Sequence, residues 1–203
     1  RLSNNVLAAL FNILLVSRNQ PLEWREIRSV LIPKPGKNRK DPANWRPITI
    51  GSSIQRLFHR LLAHRLSNMV SLDSNQRGFV KTDGTLANSL ILDTVIAERT
   101  QARKGTSLVS MDLRKAFDSV SHHSIVRGLR RACVPSYFID YVEATLTTSS
   151  TVFSVGHEES SPVPINRGVR QGDPLSPTLF NVIVVELVGD VSGGHKGCPM
   201  VLG

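Results

Sequence analysis

The spacing of apolar and polar residues predicts a chain of helices separated by short strands. Apolar residues recur at helical spacing from Val6 to Val16, and Pro21 follows the helix that this spacing predicts. Two short β-rich runs, 29–32 and 46–50, flank a polar loop of Gly, Pro, Asn and basic residues. Such a loop between two strands predicts a hairpin, or flap.

The clearest helix follows the flap. Ser52 or Ser53 can cap its start, since a serine side chain accepts a hydrogen bond from a free backbone amide. Its predicted buried stripe is Ile54, Leu57, Phe58, Leu61, Leu62 and Met69. The intervening polar residues, which include Gln55 and His59, are predicted to lie mostly on the other faces.

Further helices and strands are predicted downstream. They are a helix that ends near Gly105, a strand over 107–111, helices from Ser121 and from Ser136, β-rich stretches over 151–156 and 163–169, and a helix over 176–188. Residues 189–203 show neither a helical nor a strand period and are predicted to be irregular. The whole pattern favours an α+β fold.

The charge is unevenly spread along the chain. There are 25 Lys and Arg against 16 Asp and Glu, which gives a net charge of +9. Eleven of the basic residues and only three of the acidic ones lie within residues 1–60, so nearly all of the excess is in the first third. A one-sided excess predicts contact with phosphate. The alternative is a basic face that is only solvated.

The cysteines are Cys133 and Cys198. Two cysteines imply no disulfide framework and favour a reducing compartment. His195 and Cys198 lack the second ligand pair of a structural zinc site, so zinc is not expected. The apolar run of the first helix is too short to span a bilayer. The chain starts at Arg1 and not at Met, and is therefore expected to be a piece of a longer protein.

The segment with the most chemical content is LVSMDLRKAFDSV, residues 108–120. Its apolar run brings one carboxylate, Asp112, to the end of the predicted strand, and Phe117 and Asp118 follow. A carboxylate at a strand end suits a polymerase, which holds divalent metal over a nucleotide triphosphate. The alternatives are an aspartate that only forms a turn and a phenylalanine that belongs to the core.

A second segment, NRGVRQGDPLSPTLFN at residues 166–181, lies about fifty residues further on. It is interpreted as a rigid Gly/Pro turn with one exposed amide, Gln171, ahead of a helix. Gly168 and Gly172 allow the backbone to approach a neighbour closely. Such a turn can form a floor for a base pair.

In this order, and behind a basic segment, the two segments resemble the fingers and front palm of the reverse transcriptases of non-LTR retrotransposons. The flanking sequence resembles the clade that inserts into ribosomal RNA genes, and the resemblance runs from about Trp24 to Leu187. It implies an α+β right-hand polymerase fold with short antiparallel strands and an incomplete palm sheet. The implied regions are fingers at 1–105, a partial palm at 106–188 and an irregular tail at 189–203.

The resemblance also implies a reaction and its ligands. An RNA-directed DNA polymerase of this family transfers a dNTP to a primer 3′-hydroxyl through two Mg²⁺ ions. Asp112 would bridge both metals, the backbone carbonyl of Leu113 would bind one of them, and Asp118 would support the neighbouring turn. The implied nucleotide-binding residues are Lys34, Arg46, Lys115, Ala116, Phe117, Gln171 and Gly172.

Each of these residues would contact a different part of the nucleotide. Lys34 would act on the triphosphate as a point charge, and Arg46 would hold two phosphate oxygens at once. The ring of Phe117 would clash with a 2′-hydroxyl and so favour deoxynucleotides. The residues assigned to the template are Lys37, Arg56, Arg60, Gly78, Phe79, Arg167 and Arg170. The implied partners are an RNA template, a DNA primer and dNTP in the nucleus, with no membrane.

The chain departs from the family pattern after Asn181. Active members carry an aromatic-Ala-Asp-Asp sequence downstream of the second segment, whereas here Asp190 is the only later aspartate. A two-metal site without one of its carboxylate sources should hold metal poorly, so this chain alone is predicted not to extend a primer. Three alternatives stay open: part of an active polymerase, a truncated or decayed retroelement product that only binds nucleic acid, and a related polymerase from a group II intron or retron.

Overall fold

The fold is described from a computed structural model that covers residues 3–72, 76–80, 83–155 and 158–194, the last nine as backbone only. The helices are α1 (Asn4–Ser17), α2 (Leu22–Arg25), α3 (Ser53–Met69), α4 (Gly84–Gln101), α5 (Ala116–Ser119), α6 (His122–Arg131), α7 (Ser136–Thr147) and α8 (Ser176–Gly194). The strands are β1 (Glu26–Pro33), β2 (Trp45–Ile50), β3 (Ser150–Val155), β4 (Glu158–Glu159) and β5 (Val163–Pro164). The predicted α+β class is confirmed.

The flap is a hairpin, as the sequence predicts. Strands β1 and β2 pair antiparallel, from Arg28 opposite Ile50 to Pro33 opposite Trp45. In the loop between them, Asp41 caps a 3-10 turn over Pro42–Asn44 by accepting from the amide of Ala43. The loop therefore has local structure of its own that holds the ends of the two strands together.

The sheet also contains a pairing that the sequence did not predict. Strand β1 pairs in parallel with β3, from Glu26 opposite Ser150 to Val30 opposite Ser154. Strands β4 and β5 add antiparallel pairs to β3, so the sheet is mixed. The parallel pair joins the flap to a strand that is far away in sequence, next to the second motif.

The core lies between α1, α3, α6, α7 and α8. Phe58 of α3 is at its centre, stacked on Phe11 of α1 at 4.7 Å between ring centroids and edge-on to Tyr141 of α7 at 5.3 Å. Leu129 of α6 and Leu179 of α8 close the other side. This core supports the start of α8 and the turn before it.

The buried stripe of α3 differs from the predicted one. The residues that α3 buries are Gln55, Phe58, His59, Leu62 and Leu66, whereas Ile54, Leu57, Leu61 and Met69 are exposed. Ser52 caps the helix by accepting from the amide of Gln55. The buried face is rotated towards two polar side chains because both have hydrogen-bond partners inside, which offsets the cost of their burial.

The prediction of a strand over 107–111 is wrong. Residues 104–113 have no regular secondary structure, and Leu108, Val109 and Met111 are exposed, Val109 by 83%. A strand requires a neighbour to satisfy its amides and carbonyls. Within the described ranges, no strand pairs with this segment.

Helix α8 is longer than predicted. It continues to Gly194, whereas the loss of an apolar period predicted its end near Val188. A helix makes its hydrogen bonds within itself, so its backbone can continue without an apolar stripe. The rest of the predicted irregular tail, 195–203, lies outside the described residues. No helix in the described part of the chain has the length and apolarity that a membrane crossing needs.

Candidate active site

The second motif folds as a turn that lies against the end of the first. The amide of Gly168 donates to the carbonyl of Val120 at 2.7 Å, and that of Val169 donates to the carbonyl of Phe117 at 2.8 Å. Gly168 has φ +84°, and a Cβ there would lie 2.7 Å from the oxygen of Phe117. Only glycine fits this approach, so the predicted glycine role has a clear geometric cause.

Gln171 bridges the two motifs through its side chain. Its Nε2 donates to Oδ1 of Asp118 at 3.1 Å. Asp118 is exposed, and this contact gives it a structural partner on the turn. The supporting role predicted for Asp118 remains a prediction, and the bond to Gln171 is the contact through which it would act.

The same turn is bonded to the flap. The carbonyl of Gln171 accepts from the amide of Thr49 in β2 at 2.7 Å. Gly172 has φ +105°, and a Cβ there would lie 2.6 Å from the oxygen of Thr49. Arg46 is exposed on the same strand. The turn thus connects the flap strand that carries Arg46 to the segment that carries Phe117.

Arg170, which was predicted to contact the template, is buried. It is 7% exposed, and its Nη2 donates to the carbonyl of Thr145 at 3.4 Å and to Oγ of Ser149. Its Nη1 lies 3.8 Å from Oδ2 of Asp173. A guanidinium enclosed in this way does not reach a nucleic-acid backbone, so the template role predicted for Arg170 is wrong.

His59 is the site-adjacent residue that the sequence reasoning missed. Its Nδ1 lies 2.8 and 2.7 Å from the two carboxylate oxygens of Asp173, and its Nε2 lies 2.9 Å from the hydroxyl of Tyr141. The signal was available, since His59 lies four positions after Gln55 and three before Leu62 on one helix face. An apolar stripe alone does not mark polar residues that share the buried face.

Asp173 is ionised more readily than an ordinary aspartate. Burial alone would raise its pKa, but the charge and hydrogen bond of His59, the charge of Arg170 and the amide of Leu175 together lower the pKa. Burial of the Tyr141 hydroxyl raises the pKa of that group. At neutral pH the cluster therefore pairs a carboxylate with a guanidinium beside a neutral phenol.

Phe117 packs against two other rings. Its ring centroid is 5.6 Å from that of Phe79 and 5.0 Å from that of Phe180. Phe79 is exposed, whereas Gly78 is buried with its carbonyl accepting from Gln76 and Asn181. The ring predicted to contact the sugar therefore packs against two other rings, one of which belongs to the predicted template turn at 78–79.

The remaining predicted residues are on the surface. Asp112, Leu113 and Lys115 are exposed, and Ala116 begins α5. Lys34 donates from Nζ to the carbonyl of Ala43 at 2.9 Å. The other exposed cationic residues of the prediction are Lys37, Arg46, Arg56, Arg60 and Arg167. The described residues contain no group of three or more His, Cys, Asp or Glu that could hold a metal ion.

Comparison with known proteins identifies the class. The profile of the family described as reverse transcriptase (RNA-dependent DNA polymerase) matches residues 32–202, and the chain belongs to this family. This confirms the family resemblance inferred from the two motifs. Members of the family generally use divalent metals.

Three of the relatives are Pol polyproteins of R2 retrotransposable elements. The chain is 47% identical over 175 residues to the Retrovirus-related Pol polyprotein from type-1 retrotransposable element R2 of Popillia japonica, which covers 86% of this chain and 24% of that protein. It is 40% identical to the R2 counterpart of Nasonia vitripennis, over 87% of this chain and 17% of that protein. It is 36% identical to the Pol polyprotein from the type-2 element R2DM of Drosophila melanogaster, over 91% of this chain and 17% of that protein. The chain thus spans a quarter or less of these relatives.

Proposed function

We propose that this chain is the part of an RNA-directed DNA polymerase that holds the incoming dNTP and the template base. The full-length parent would join the dNTP to a primer 3′-hydroxyl on an RNA template. Family membership supports the reaction class. The observation that carries the proposal for this chain is the contact between its two motifs, in which Gln171 donates to Asp118 and Val169 donates to Phe117.

The flap supplies the positive charge for the triphosphate. Lys34 and Arg46 lie at the flap end of β1 and on β2, and Lys34 can exchange its bond to the Ala43 carbonyl for a phosphate oxygen. Arg46 is exposed and can hold two phosphate oxygens. The amides of Lys115 and Ala116, at the start of α5, complete the proposed triphosphate contacts. Exposed Arg56, Arg60, Lys37 and Arg167 remain candidates for the template.

Phe117 and the turn that carries Gln171 would contact the sugar of the nucleotide and the template base. The ring of Phe117, supported by Phe79 and Phe180, would pack against the sugar and exclude a 2′-hydroxyl. Gln171 and Gly172 face outwards between the buried Arg170 and the partly buried Asp173. We assign Gln171 and Gly172 to the template base and the new sugar.

The metal site is not complete within the described residues. Two Mg²⁺ ions would supply charge neutralisation at the phosphates and activation of the attacking oxygen. Asp112 and the Leu113 carbonyl are the donors proposed here, and the described ranges contain no group of three or more His, Cys, Asp or Glu that could hold a metal ion. One carboxylate and one carbonyl do not fit a two-metal site.

A second function is favoured for the isolated chain. The exposed Asp112 segment and the incomplete donor set point to nucleic-acid binding without polymerisation. Binding through basic side chains releases counterions and therefore weakens steeply as salt rises. We expect the purified 203-residue chain to bind RNA with such a dependence and to leave a primer unextended.

The proposed function can be tested at Arg46 in the full-length parent. Arg46→Ala should raise the KM for dNTP by roughly tenfold or more, because it removes a charge-assisted phosphate contact, while template affinity changes little. Arg99→Ala on the exposed face of α4 is the matched control and should change neither. Weaker template binding with an unchanged KM would place Arg46 on nucleic acid and overturn the assignment.

A further inference from the structure

A buried polar cluster ties the second motif to the helical core, and the proposed chemistry does not use it. Its members are His59 on α3, Tyr141 on α7, and Arg170 and Asp173 on the turn. His59 and Tyr141 are at most 1% exposed. Buried polar side chains are costly unless they are paired, so each contact in this cluster limits the positions that its members can take.

His59 uses both ring nitrogens. The Nδ1–H donates to the Asp173 carboxylate, whose two oxygens lie 2.8 and 2.7 Å away. The other ring nitrogen, Nε2, shares a hydrogen bond with the Tyr141 hydroxyl at 2.9 Å, in which the tautomer decides which atom donates. His59 therefore links the turn to α7 through a single side chain.

The anchors of the turn bracket the residues assigned to substrate. Arg170 and Asp173 point inwards, and Gln171 and Gly172 lie between them on the outside. Oδ1 of Asp173 also accepts from the amide of Leu175 at 2.9 Å, which fixes the step into α8. The cavity beside the cluster is only about 10 Å³, about the space of one water molecule.

The outer side of the turn depends on these anchors. The carbonyl of Gln171 is bonded to Thr49 of the flap, and its side chain is bonded to Asp118. Both hydrogen bonds require the backbone of residues 170–173 to keep the same position relative to the core. A change at Asp173 is therefore transmitted to the flap strand and to the first motif together.

We propose that His59 is a positioning residue, which by holding Asp173 fixes the turn that presents Gln171 and Gly172 to the template base and the incoming nucleotide. The first statement, that His59 orders the turn, stands on the contacts alone. The second, that this order matters for nucleotide addition, rests on the proposed function.

Amide hydrogen exchange of the 203-residue chain tests the first statement. His59→Phe keeps a ring of similar size but removes both hydrogen bonds, and should speed exchange at residues 169–175 by about tenfold or more, the equivalent of one hydrogen bond to a charged group. Amides of α6 should keep their rates. His64→Asn, an exposed histidine on the same helix, is the control and should change neither region.

Two milder variants keep the test decisive if His59→Phe does not fold. His59→Asn can replace the Nδ1–H donor and should restore exchange in the turn to within about threefold of wild type. Tyr141→Phe removes only the Nε2 partner and should speed exchange in the turn by roughly threefold. Wild-type exchange in the turn of Tyr141→Phe, or a folded His59→Phe with a protected turn, would overturn the first statement.

Kinetics of the full-length parent tests the second statement. His59→Phe should lower kcat/KM for dNTP by about tenfold, with His59→Asn closer to wild type and template affinity unchanged. If wild-type parent does not extend a primer, the proposed function fails, and the exchange result still decides whether His59 orders the turn. If wild type is active and a loosened turn leaves kcat/KM unchanged, the positioning role is refuted while the proposed function survives.

Discussion

The turn at residues 170–173 and the segment at residues 106–113 carry the two halves of the proposed site, and the chain holds them in opposite ways. The turn is bonded to α3, to Thr145 of α7, to β2 and to α5. The segment around Asp112 has no regular structure, and its apolar side chains face outwards. One half has its geometry set inside the described residues, whereas the other does not.

The difference follows from how each half satisfies its backbone and side chains. A turn anchored by buried side chains needs only the partners that α3 and α7 already supply. A strand needs a neighbouring strand, and none lies beside residues 107–111 in the described ranges. The part of the site proposed to position the nucleotide therefore has its contacts within the described residues, whereas the part proposed to bind metal lacks a strand partner there.

The largest effect should separate the two aspartates. Asp173→Ala removes one partner of a buried ionic cluster and should lower the free energy of unfolding by about 3–5 kcal/mol. Asp112→Ala changes an exposed side chain and should stay within about 0.5 kcal/mol of wild type. Urea denaturation measures both. Similar losses for the two variants would abolish the contrast between the turn and the segment.

Two glycines sharpen the contrast at the level of the backbone. Gly172→Ala combines φ +105° with a Cβ 2.6 Å from the Thr49 oxygen, so it should cost about 3 kcal/mol or more. Gly36→Ala in the flap loop has φ +69° but open space around it, so it should cost only about 1 kcal/mol. Chemical denaturation of both variants gives the difference. Equal costs would mean that the turn is not pressed against β2.

A pair of valines compares the packing of the two regions. Val169 is 4% exposed beside the turn, and Val169→Ala should lower the free energy of unfolding by about 2 kcal/mol. Val109 is exposed, and Val109→Ala should change stability by less than about 0.5 kcal/mol. Thermal or urea unfolding can be used. A substantial loss at Val109 would show that the segment is packed after all.

The smallest effect is a pH dependence at the edge of the turn. Burial lowers the pKa of His122 despite its hydrogen bond to the Gly168 carbonyl, and Arg170 lowers the pKa further. Because the folded pKa is depressed, the stabilisation is present above the unfolded value of about 6.5 and is lost as pH falls through the folded pKa. His122→Gln should flatten the dependence of unfolding free energy on pH in that window. An unchanged slope would remove His122 from this role.

Much of the fold was predictable because its signals are local. The flap hairpin follows from two β-rich runs around a Gly/Pro loop, and the start of α3 follows from a serine cap, since both depend on neighbours in sequence. The parallel pairing of β1 with β3 was not predictable, because it joins Glu26 to Ser150 and no local pattern encodes that contact. The prediction of a strand at 107–111 was wrong for a related reason, since a strand forms only where a neighbouring strand can pair with it.

The site shows the same division. The glycine positions and the approach of the two motifs to each other agree with the motif spacing. Arg170 and His59 were predicted to face outwards, but both are buried next to Asp173. The sequence shows that a position holds an arginine or a histidine, but it does not show that a carboxylate lies beside that position inside the fold. Polar residues that share a helix face with apolar ones are the signal to look for in such cases.

RNA-templated dNTP incorporation by the full-length parent, compared with its Asp112→Asn variant and with this chain alone, tests the central claim most directly. The account predicts that the parent extends a primer, that Asp112→Asn lowers the rate by about 10³-fold because Asp112 is the carboxylate proposed to bind metal in the parent, and that this chain alone does not extend it. Extension by the variant at the wild-type rate, or efficient extension by the isolated chain, would contradict it.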